Sequence, residues 1–324
     1  VTAYDRTAYS ESPLIAERIG DAEIVVMNKT PISRETIDKC PNIKLIAVLA
    51  TGYNVVDYNY AREKGIPVVN VPTYGTASVS QFSIALLLEI CHHIGHHSES
   101  VHAGNWANNA DWCYWDYPLI ELEGKTIGII GFGRIGQAEG RIAKALGMNV
   151  LAYDLFPNDS GREIAEYVGL DELYACADVI TLHCNLTPEN TGMINKESIA
   201  KMKDGVNIIN CSRGELVDNE SIIQACESGK VNRYVTDFPA TELLNRKNII
   251  CTPHLGASTA EAEDNCAIMA AKQIVNFVEK GNIVNSVNYP AVHLDAKGAQ
   301  RVVVLFKGDE STGEEAQKIL APFK

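Results

Sequence analysis

Residues Lys125–Asp154 have the sequence KTIGIIGFGRIGQAEGRIAKALGMNVLAYD. The segment opens with a short apolar run, 126–130, whose length and β-branched side chains indicate a buried parallel strand. The glycine-rich turn 131–136 follows at once, and a helical pattern then continues until Gly147 stops it. A second apolar run, 149–153, closes the segment and ends at an aspartate. The order of strand, turn, helix and strand predicts one βαβ unit of a parallel sheet.

The glycine turn predicts a dinucleotide-binding site. Gly131 permits a tight turn, Gly133 lets the backbone approach a pyrophosphate, and Gly136 lets the helix pack on the strand. The N–H groups at the start of the helix, around Arg134 and Ile135, and the positive end of the helix dipole both suit phosphate oxygens. Glycines also reach this spacing by chance, but a strand before the turn and a helix after it argue against a turn without a ligand.

The aspartate at the end of the second strand indicates which dinucleotide binds. Asp154 follows Gly136 at about the 20-residue spacing of such sites. A carboxylate there accepts hydrogen bonds from the adenosine ribose hydroxyls and repels a 2′-phosphate, so the sequence predicts NAD rather than NADP. Arg162, the nearest later arginine, is too far along the chain to reverse that preference.

Composition describes an ordinary globular protein with an acidic surface. The chain has 324 residues, 46% hydrophobic and 21% charged, with a net charge of −13. Such a balance argues against nucleic acid or an anionic membrane as a partner. No apolar run has the length of a membrane span, and the first residues lack a signal-peptide pattern. The nine cysteines form no CxxC pair, so we expect buried, reduced thiols in a cytoplasmic protein.

Apolar runs alternate with helical patterns along most of the chain, which predicts parallel sheets covered on both faces. The predicted strands are 1–4, 23–27, 45–49, 66–70, 126–130, 149–153, 179–184, 206–210, 234–237 and 249–251. The predicted helices include 12–19, 33–39, 58–64 and two long ones, 77–96 and 260–280. The sequence therefore predicts an α/β protein with two Rossmann-like, doubly wound domains. An NAD-binding domain, 76–260, is inserted into a flavodoxin-like substrate domain formed by 1–75 and 261–324.

Three later motifs carry a family resemblance. They are INCSRGELVDNESIIQACESGK from Ile209, TDFPATELL from Thr236 and CTPHLGAST from Cys251. Together they resemble the D-isomer-specific 2-hydroxyacid dehydrogenases, and the similarity covers essentially 1–290. Within that family, 30–147 is most similar to the glycerate dehydrogenases (hydroxypyruvate reductases), whereas 236–290 is more similar to short phosphoglycerate dehydrogenases.

The resemblance implies an NAD-dependent interconversion of a 2-keto acid and a D-2-hydroxy acid. His254 is then expected to be the general acid/base, because the imidazole pKa lies near neutrality. Glu242 is expected to orient that ring and raise its pKa. Arg213 is expected to hold the substrate carboxylate and keto oxygen with its planar fork. The resemblance further implies that the backbone N–H groups of Thr51 and Gly52 bind the same carboxylate.

Further positions are implied to line the cofactor. Thr76 is expected near the nicotinamide and Asp237 at its carboxamide. Other residues expected on cofactor-lining loops are His183, Cys211 and Gly256. The family pattern is not complete, since Asn185 stands where a proline is common. The shape of the 183–187 loop is therefore left open.

A histidine-rich stretch and an aromatic stretch precede the glycine unit. His92 with His96, and His93 with His97, have the i, i+4 spacing of metal ligands on a helix. No acidic ligand has a matching spacing and hydride transfer needs no metal, so we predict histidines at a domain or subunit contact and no metal site. The aromatic residues are predicted to form a cluster at a homodimer contact, and the sharper hypothesis is that Trp115 reaches the partner's substrate pocket. The members of that cluster are Trp112, Trp115 and Tyr117.

The C-terminal segment predicts a strand at 299–306 and a helix at 313–320. The family normally has such a strand and helix before the strand that here is 1–4. One hypothesis is a circularly permuted order, in which 301–306 completes the sheet of the first domain. The alternative is the first βα part of an ACT-type regulatory domain, cut short.

The sequence leaves the far end of the substrate open. Hydroxypyruvate with D-glycerate is the first choice, and 3-phosphoglycerate is the second. A phosphorylated substrate needs extra basic residues, for which Lys29 and Arg34 are candidates. A different class, a non-catalytic NAD-sensing corepressor scaffold, shares the family fold. No disordered tail or peptide-docking extension supports that class.

Overall fold

The structure, a computed structural model, describes residues 1–7, 9–293 and 310–323. The chain forms two compact units. One is Gly75–Glu263, and the other combines Val1–Tyr74 with Asp264–Lys324. Both units contain parallel strands with helices between them, so the predicted α/β class is confirmed.

The smaller unit is built on a sheet of three parallel strands in the order β1-β2-β3. The central strand is buried along its whole length, which explains its uninterrupted apolar sequence LIAV. Each of the first three helices begins at a polar side chain that accepts a hydrogen bond from a first-turn N–H group. The elements are α1 (Pro13–Ile19), β1 (Ile24–Met27), α2 (Arg34–Lys39), β2 (Leu45–Val48), α3 (Tyr58–Glu63) and β3 (Val68–Val69).

The larger unit is built on seven parallel strands, β4 to β10, in the order β10-β9-β8-β7-β4-β5-β6. Successive strands proceed outward from β4 in one direction and from β7 in the other. The strands are β4 (Thr126–Ile130), β5 (Asn149–Tyr153), β6 (Glu166–Tyr167), β7 (Val179–Leu182), β8 (Val206–Asn210), β9 (Val231–Thr236) and β10 (Ile249–Cys251). In such a doubly wound sheet, ligands bind at the carboxyl ends of the strands where the order reverses. Here that point lies between β4 and β7.

The helices of the larger unit cover this sheet. They are α4 (Thr76–His92), α5 (Ile94–His102), α6 (Arg134–Ala145), α7 (Asp159–Arg162), α8 (Leu170–Cys176), α9 (Lys196–Ala200) and α10 (Asn219–Ser228). One apolar cluster joins α4 to the face of the central strands, including Leu87, Ile127 and Ile209. A second cluster, including Leu173, Ile208 and Tyr234, holds α8 and α10. The central strands are buried on both faces because helices pack on both sides.

The predicted single helix 77–96 is wrong at its end. The structure ends α4 at His92 and begins α5 at Ile94, because His93 adopts a left-handed conformation with φ 47°. The His93 N–H group still bonds to the Glu89 oxygen, so His93 closes one helix and starts the next. Among the described helices none can cross a bilayer by itself; α4 and α5 meet the length and composition criteria only as a pair bent by 55°.

The predicted strand 1–4 is also wrong. Val1 and Tyr4 are exposed, and no strand pairing involves these residues in the described part of the chain. A four-residue run that buries nothing cannot offset the entropy of ordering it. The long helix α11 (Ala260–Lys280) has its predicted bounds. The predicted C-terminal helix is present as α12 (Glu310–Leu320), whereas the predicted strand 299–306 lies outside the described residues, so the permuted order stays a hypothesis.

Candidate functional site

The glycine turn follows β4 directly and has the geometry that its sequence predicts. Gly131 has φ 92°, and a Cβ there would lie 2.5 Å from the His183 carbonyl carbon. A Cβ on Gly136 would overlap the Gly131 carbonyl oxygen. At Gly133, by contrast, a Cβ would meet nothing within 4 Å. The first and third glycines are thus required by packing, and the second faces space that a ligand can use.

Helix α6 presents its amino end at the same turn. Gly133 is its N-cap and has no side chain to satisfy the first N–H groups. The first intrahelical bond runs from the Gln137 N–H group to the Gly133 oxygen, so the N–H groups of 134–136 are available to phosphate oxygens. Strand, turn and helix therefore fit a dinucleotide pyrophosphate.

The aspartate after β5 is held in a tight turn. The Asp154 Oδ1 atom accepts a hydrogen bond from the Phe156 N–H group at 2.8 Å, which fixes the carboxylate in a tight turn. Asp154 itself is half-buried. The two residues that follow, Leu155 and Phe156, are 74% and 82% exposed. An anchored carboxylate beside exposed apolar side chains suits a nucleoside.

Arg213 lies in the turn after β8, and the buried Asn210 amide holds that turn. The Asn210 oxygen accepts from the Ser212 N–H group (3.0 Å), and its nitrogen donates to the Arg213 oxygen (2.8 Å). The Arg213 guanidinium carbon lies 5.5 Å from the centre of the Phe238 ring. The His254 ring lies 4.5 Å from the same ring, centre to centre. Phe238 therefore brings the predicted arginine and histidine to one place.

Asp237 anchors the loop that carries the histidine. Its side chain is almost fully buried. Asp237 accepts hydrogen bonds from the Thr252 hydroxyl (2.6 Å) and from the Leu255 and Gly256 N–H groups (both 2.9 Å). The His254 Nδ1 atom lies 3.7 Å from Asp237 Oδ2. His254 has a left-handed backbone, with φ 60°, and its side chain is half exposed. The contacts on either side of it hold this uncommon conformation in place.

Glu242 lies in a short 3₁₀ turn after β9 and is exposed. Its Oε1 atom accepts a hydrogen bond from the Asn219 side chain at 2.9 Å. Its own backbone N–H group, together with Asn219, holds the pKa of Glu242 below its usual value, so the group is a carboxylate at neutral pH. The pairing of Glu242 with His254 stays a prediction.

Comparison with known proteins decides the family. Residues 84–256, more than half of the chain, match the family described as D-isomer specific 2-hydroxyacid dehydrogenase, NAD binding domain. The chain belongs to the D-isomer specific 2-hydroxyacid dehydrogenases. The cofactor is therefore NAD and the reaction is an oxidoreduction at a CH–OH group, as the sequence predicted.

Relatives and solved structures agree with this assignment. This dehydrogenase is 56% identical to the hydroxypyruvate reductase of Blautia hydrogenotrophica over 88% of this chain and 91% of that protein. It is 38% identical to the D-3-phosphoglycerate dehydrogenase of Archaeoglobus fulgidus over 89% of this chain and 55% of that protein. It is also similar to the D-lactate dehydrogenase of Aquifex aeolicus, solved with NAD and lactic acid. That likeness has a TM-score of 0.73 and 30% identity, and covers 85% of this chain and 90% of that one.

The predicted substrate residues of the smaller unit lie in the loop after β2. The Thr51 hydroxyl donates to the Val71 oxygen (3.2 Å), and its carbonyl accepts from the Asn70 amide (2.7 Å). The Gln273 amide in turn donates to the Asn70 oxygen (3.1 Å). Gly52 follows in the same loop and is half-buried. The loop of the dehydrogenase that carries Thr51 and Gly52 is thus held by buried amides.

The remaining cofactor candidates all belong to the larger unit. Thr76 is the first residue of α4. The backbone of His183 and Cys184 packs against the glycine turn. Gly256 bonds to Asp237, and burial raises the pKa of the Cys211 thiol, which therefore stays protonated. His183 and Cys211 follow the carboxyl ends of β7 and β8, near the point between β4 and β7 where the strand order reverses.

The histidine-rich stretch makes polar and aromatic contacts. His96 pairs with Asp116 at 2.7 Å, and the Nδ1 atom of His97 lies 2.9 Å from the His93 carbonyl oxygen. No group of three or more metal-ligating side chains exists among the residues that the structure describes. The predicted aromatic cluster is divided, because Tyr117 packs on His93 and His96 whereas Trp112 packs on Trp106. Trp115 is 66% exposed.

Sequence reasoning missed one residue of this region, Glu139. It lies on α6 among the buried positions Gly136, Gly140 and Ala143, and its carboxylate contacts the His183 ring at 2.8 Å. The signal was available, because a charged residue at a core position of an amphipathic helix is uncommon.

Proposed function

We propose that this dehydrogenase reduces hydroxypyruvate to D-glycerate with NADH and catalyses the reverse reaction. The observation that carries the proposal is the meeting of Arg213 and His254 at Phe238. An anion-binding fork and a proton donor that are held together suit a 2-keto acid, whose carboxylate and carbonyl are adjacent. The similarity to a hydroxypyruvate reductase over most of both chains supports the choice of substrate.

In this proposal Arg213 binds the substrate. A guanidinium presents parallel N–H donors that match a carboxylate, and it stays charged at any relevant pH. One of its nitrogens, Nη1, donates to the Ser212 oxygen at 2.7 Å, and Phe238 supports the guanidinium plane. These two contacts limit the orientations of Arg213 before substrate arrives, which reduces the entropy lost on binding.

His254 supplies the proton in this proposal. When bound, NADH would supply a hydride for the carbonyl carbon, and the carbonyl oxygen would then need a proton. A protonated imidazole donates it at near-neutral pH, and the neutral imidazole accepts it back in the reverse direction. Asp237 lies on the Nδ1 side at 3.7 Å, and the proposal assigns Nε2 to the proton transfer. Glu242 is assigned the second carboxylate role, through a pairing with His254 that forms in the complex.

The substrate is tested by following NADH absorbance with four keto acids: hydroxypyruvate, glyoxylate, pyruvate and phosphohydroxypyruvate. We expect the highest kcat/KM for hydroxypyruvate. The matched variants are Arg213→Lys, which keeps the charge but loses the planar fork, and Arg233→Lys, an arginine that packs on Tyr117. We expect Arg213→Lys to lower kcat/KM by about 100-fold and Arg233→Lys to leave it within about two-fold. A higher kcat/KM for phosphohydroxypyruvate would contradict the proposal.

Phosphoglycerate dehydrogenase is the second candidate, since such relatives also match most of this chain. A phosphorylated substrate requires an added cation, and Lys29 and Arg34 were the sequence candidates. The structure places the Arg34 guanidinium 4.2 Å from the centre of the Tyr60 ring, and Lys29 is exposed after β1. Arg34 thus already packs on a residue of its own unit. This contact favours the unphosphorylated substrate, which needs no added cation.

We also propose a cytoplasmic homodimer in which Trp115 contacts the partner's substrate pocket. Residues 94–119 expose several large apolar side chains, among them Trp112 at 87% and Trp115 at 66%, and the nine cysteines are free thiols. We expect Trp115→Ala to raise KM for hydroxypyruvate by about five-fold, whereas Trp112→Ala leaves KM unchanged. Sedimentation and steady-state kinetics test both. If Trp115→Ala alters neither the oligomeric state nor KM, then the dimer contact of this aromatic segment and the contact of Trp115 with the partner's substrate pocket are both wrong.

A further inference from the structure

A carboxylate is fully buried inside the NAD-binding unit. Glu139 lies on α6, about one turn after Gly136, and its side chain is 0% exposed. The Oε1 atom accepts a hydrogen bond from the Ser83 hydroxyl at 2.5 Å. The Oε2 atom accepts from the Thr181 hydroxyl at 2.6 Å and contacts His183 Nε2 at 2.8 Å. The His183 ring is itself 2% exposed.

Packing alone does not call for a charge at this position. The neighbouring buried residues of α6 are small, namely Gly136, Gly140 and Ala143, and an apolar side chain at 139 would continue the same face. Burial raises the pKa of the Glu139 carboxyl, but the charge of His183 and the hydrogen bonds from His183, Ser83 and Thr181 together lower it below its usual value. Glu139 is therefore a buried carboxylate at neutral pH. A buried carboxylate bound to an imidazole is weak evidence for stability and calls for another explanation.

The hydrogen-bond partners of Glu139 connect it to the glycine turn. Ser83 belongs to α4, Thr181 to β7, and His183 to the turn after β7. The His183 N–H group donates to the Ile130 oxygen at 2.8 Å. A Cβ on Gly131 would lie 2.5 Å from the His183 carbonyl carbon. His183 thus contacts Glu139 through its ring and the glycine turn through its backbone.

The carboxylate has no route to a ligand, because it is buried and both oxygens are occupied. It can act only through the groups that it holds. Since Glu139 contacts His183 at Nε2, the ring has one nitrogen, Nδ1, left for any other contact. The bond also ties α6, whose amino end carries the N–H groups of 134–136, to the backbone that packs on the first glycine.

We propose that Glu139 is a positioning residue of the NAD site. It fixes the His183 ring and holds the 183–184 backbone against Gly131, so that the turn and the N–H groups of 134–136 are already arranged for the pyrophosphate. The proposal rests on the assignment of NAD to this turn. A preset turn loses less entropy on binding, so the contribution of Glu139 appears in the affinity for NADH rather than in the chemistry.

Three variants test the proposal. Glu139→Gln keeps the shape but removes the charge, and Glu139→Asp keeps the charge but is one methylene too short to reach His183. We expect each to raise the Kd for NADH, measured by fluorescence titration, by about ten-fold. Ser83→Ala removes one hydrogen bond from the same carboxylate and leaves the bond to His183, so we expect a change below about two-fold. At saturating NADH, KM for hydroxypyruvate in Glu139→Gln stays within about two-fold of the wild type.

A stability control separates positioning from general loosening. Val231→Ala truncates a buried residue of β9 and lowers the melting temperature without removing any hydrogen bond of Glu139. We expect it to leave the Kd for NADH unchanged. The proposal is wrong if Glu139→Gln and Glu139→Asp bind NADH as the wild type does, or if Val231→Ala weakens NADH binding equally. Wild-type protein that fails to bind NADH would overturn the cofactor assignment itself, and this proposal with it.

Discussion

Two strand-ending aspartates of the same sheet hold their carboxylates in opposite ways. Asp154, after β5, is half-buried and accepts one hydrogen bond, from the Phe156 N–H group. Asp237, after β9, is 1% exposed. Its oxygens accept from the Thr252 hydroxyl and from the Leu255 and Gly256 N–H groups. The first carboxylate keeps an oxygen, Oδ2, that no donor in the described part of the chain contacts, whereas the second is used by the protein itself.

The difference shows that a position in a motif and a role in binding are separate properties. The sequence assigned both aspartates to the cofactor, Asp154 through its spacing after the glycine turn and Asp237 through the family resemblance. Their contacts leave one Asp154 oxygen available to a ligand, whereas Asp237 organises the loop that carries His254. A carboxylate that already accepts several hydrogen bonds has little capacity left for a ligand. The role of Asp237 at the carboxamide therefore stays a prediction, and its role as an anchor rests on direct contacts.

The largest effect is expected from Asp237→Asn. An amide places an NH₂ group against one of the backbone N–H groups of 255–256, so one buried donor loses its acceptor at a cost of about 1–3 kcal/mol. The loop then shifts, and a displacement of about 1 Å at a catalytic group can lower turnover by about 100-fold. We expect a fall in kcat of that size in the NADH absorbance assay, with a lower melting temperature.

The matched control for this variant is Asp218→Asn. Asp218 also accepts a backbone N–H group, that of Ser221 at the start of α10, but it is exposed. Asp218→Asn should leave kcat unchanged and the melting temperature nearly so, because asparagine caps a helix about as well as aspartate and this residue holds no catalytic loop. If Asp237→Asn retains full turnover, the anchoring role of Asp237 is wrong.

A smaller and more selective effect is expected from Asp154→Ala. Removing this carboxylate deletes the acceptor for the ribose hydroxyls, so kcat/KM with NADH should fall by about ten-fold. The preference for NADH over NADPH should narrow at the same time, because the repulsion of a 2′-phosphate disappears. The melting temperature should not change. Asp159 is an exposed acid nearby, and Asp159→Ala should change kcat/KM with neither NADH nor NADPH. If Asp154→Ala keeps the wild-type preference for NADH over NADPH, Asp154 does not select the cofactor.

Much of the fold could be predicted, because many of its strands are short apolar runs. The runs 126–130, 149–153, 206–210 and 249–251 are strands with the predicted bounds. Their β-branched content and flanking polar residues are local signals that need no knowledge of the neighbours. The glycine turn was predictable for a related reason, since backbone conformation itself requires glycine at 131.

Features that depend on contacts between distant residues could not be predicted. The left-handed His93 divides a helix whose apolar pattern continues on both sides. The Glu139 network joins residues that are 42 to 56 positions apart, and nothing local marks Ser83 or Thr181 as its partners. The two roles of Asp154 and Asp237 also depend on which donors surround them, which only the folded chain determines.

The smallest effect is expected from a third aspartate, Asp178, at the amino end of β7. Its carboxylate accepts the Thr126 N–H group (2.8 Å) and pairs with Lys203 (2.9 Å). Burial raises the pKa of Asp178, but these two partners lower it by more. A lowered pKa stabilises the fold above the unfolded-state value of about 3.9, and the stabilisation is lost as the pH falls through the folded-state value.

Asp178→Asn should therefore lower the melting temperature near neutrality, by the equivalent of about 1 kcal/mol or less because the ion pair is partly exposed. The difference in melting temperature between the variant and the wild type should shrink as the pH falls below about 4, where Asp178 itself becomes protonated. Thermal unfolding at several pH values measures it. The NADH affinity should not change, because Asp178 lies at the amino ends of the strands and Asp154 and Asp237 follow their carboxyl ends. A pH-independent difference, or weaker NADH binding, would show that position along the strand does not separate stabilising acids from functional ones in this sheet.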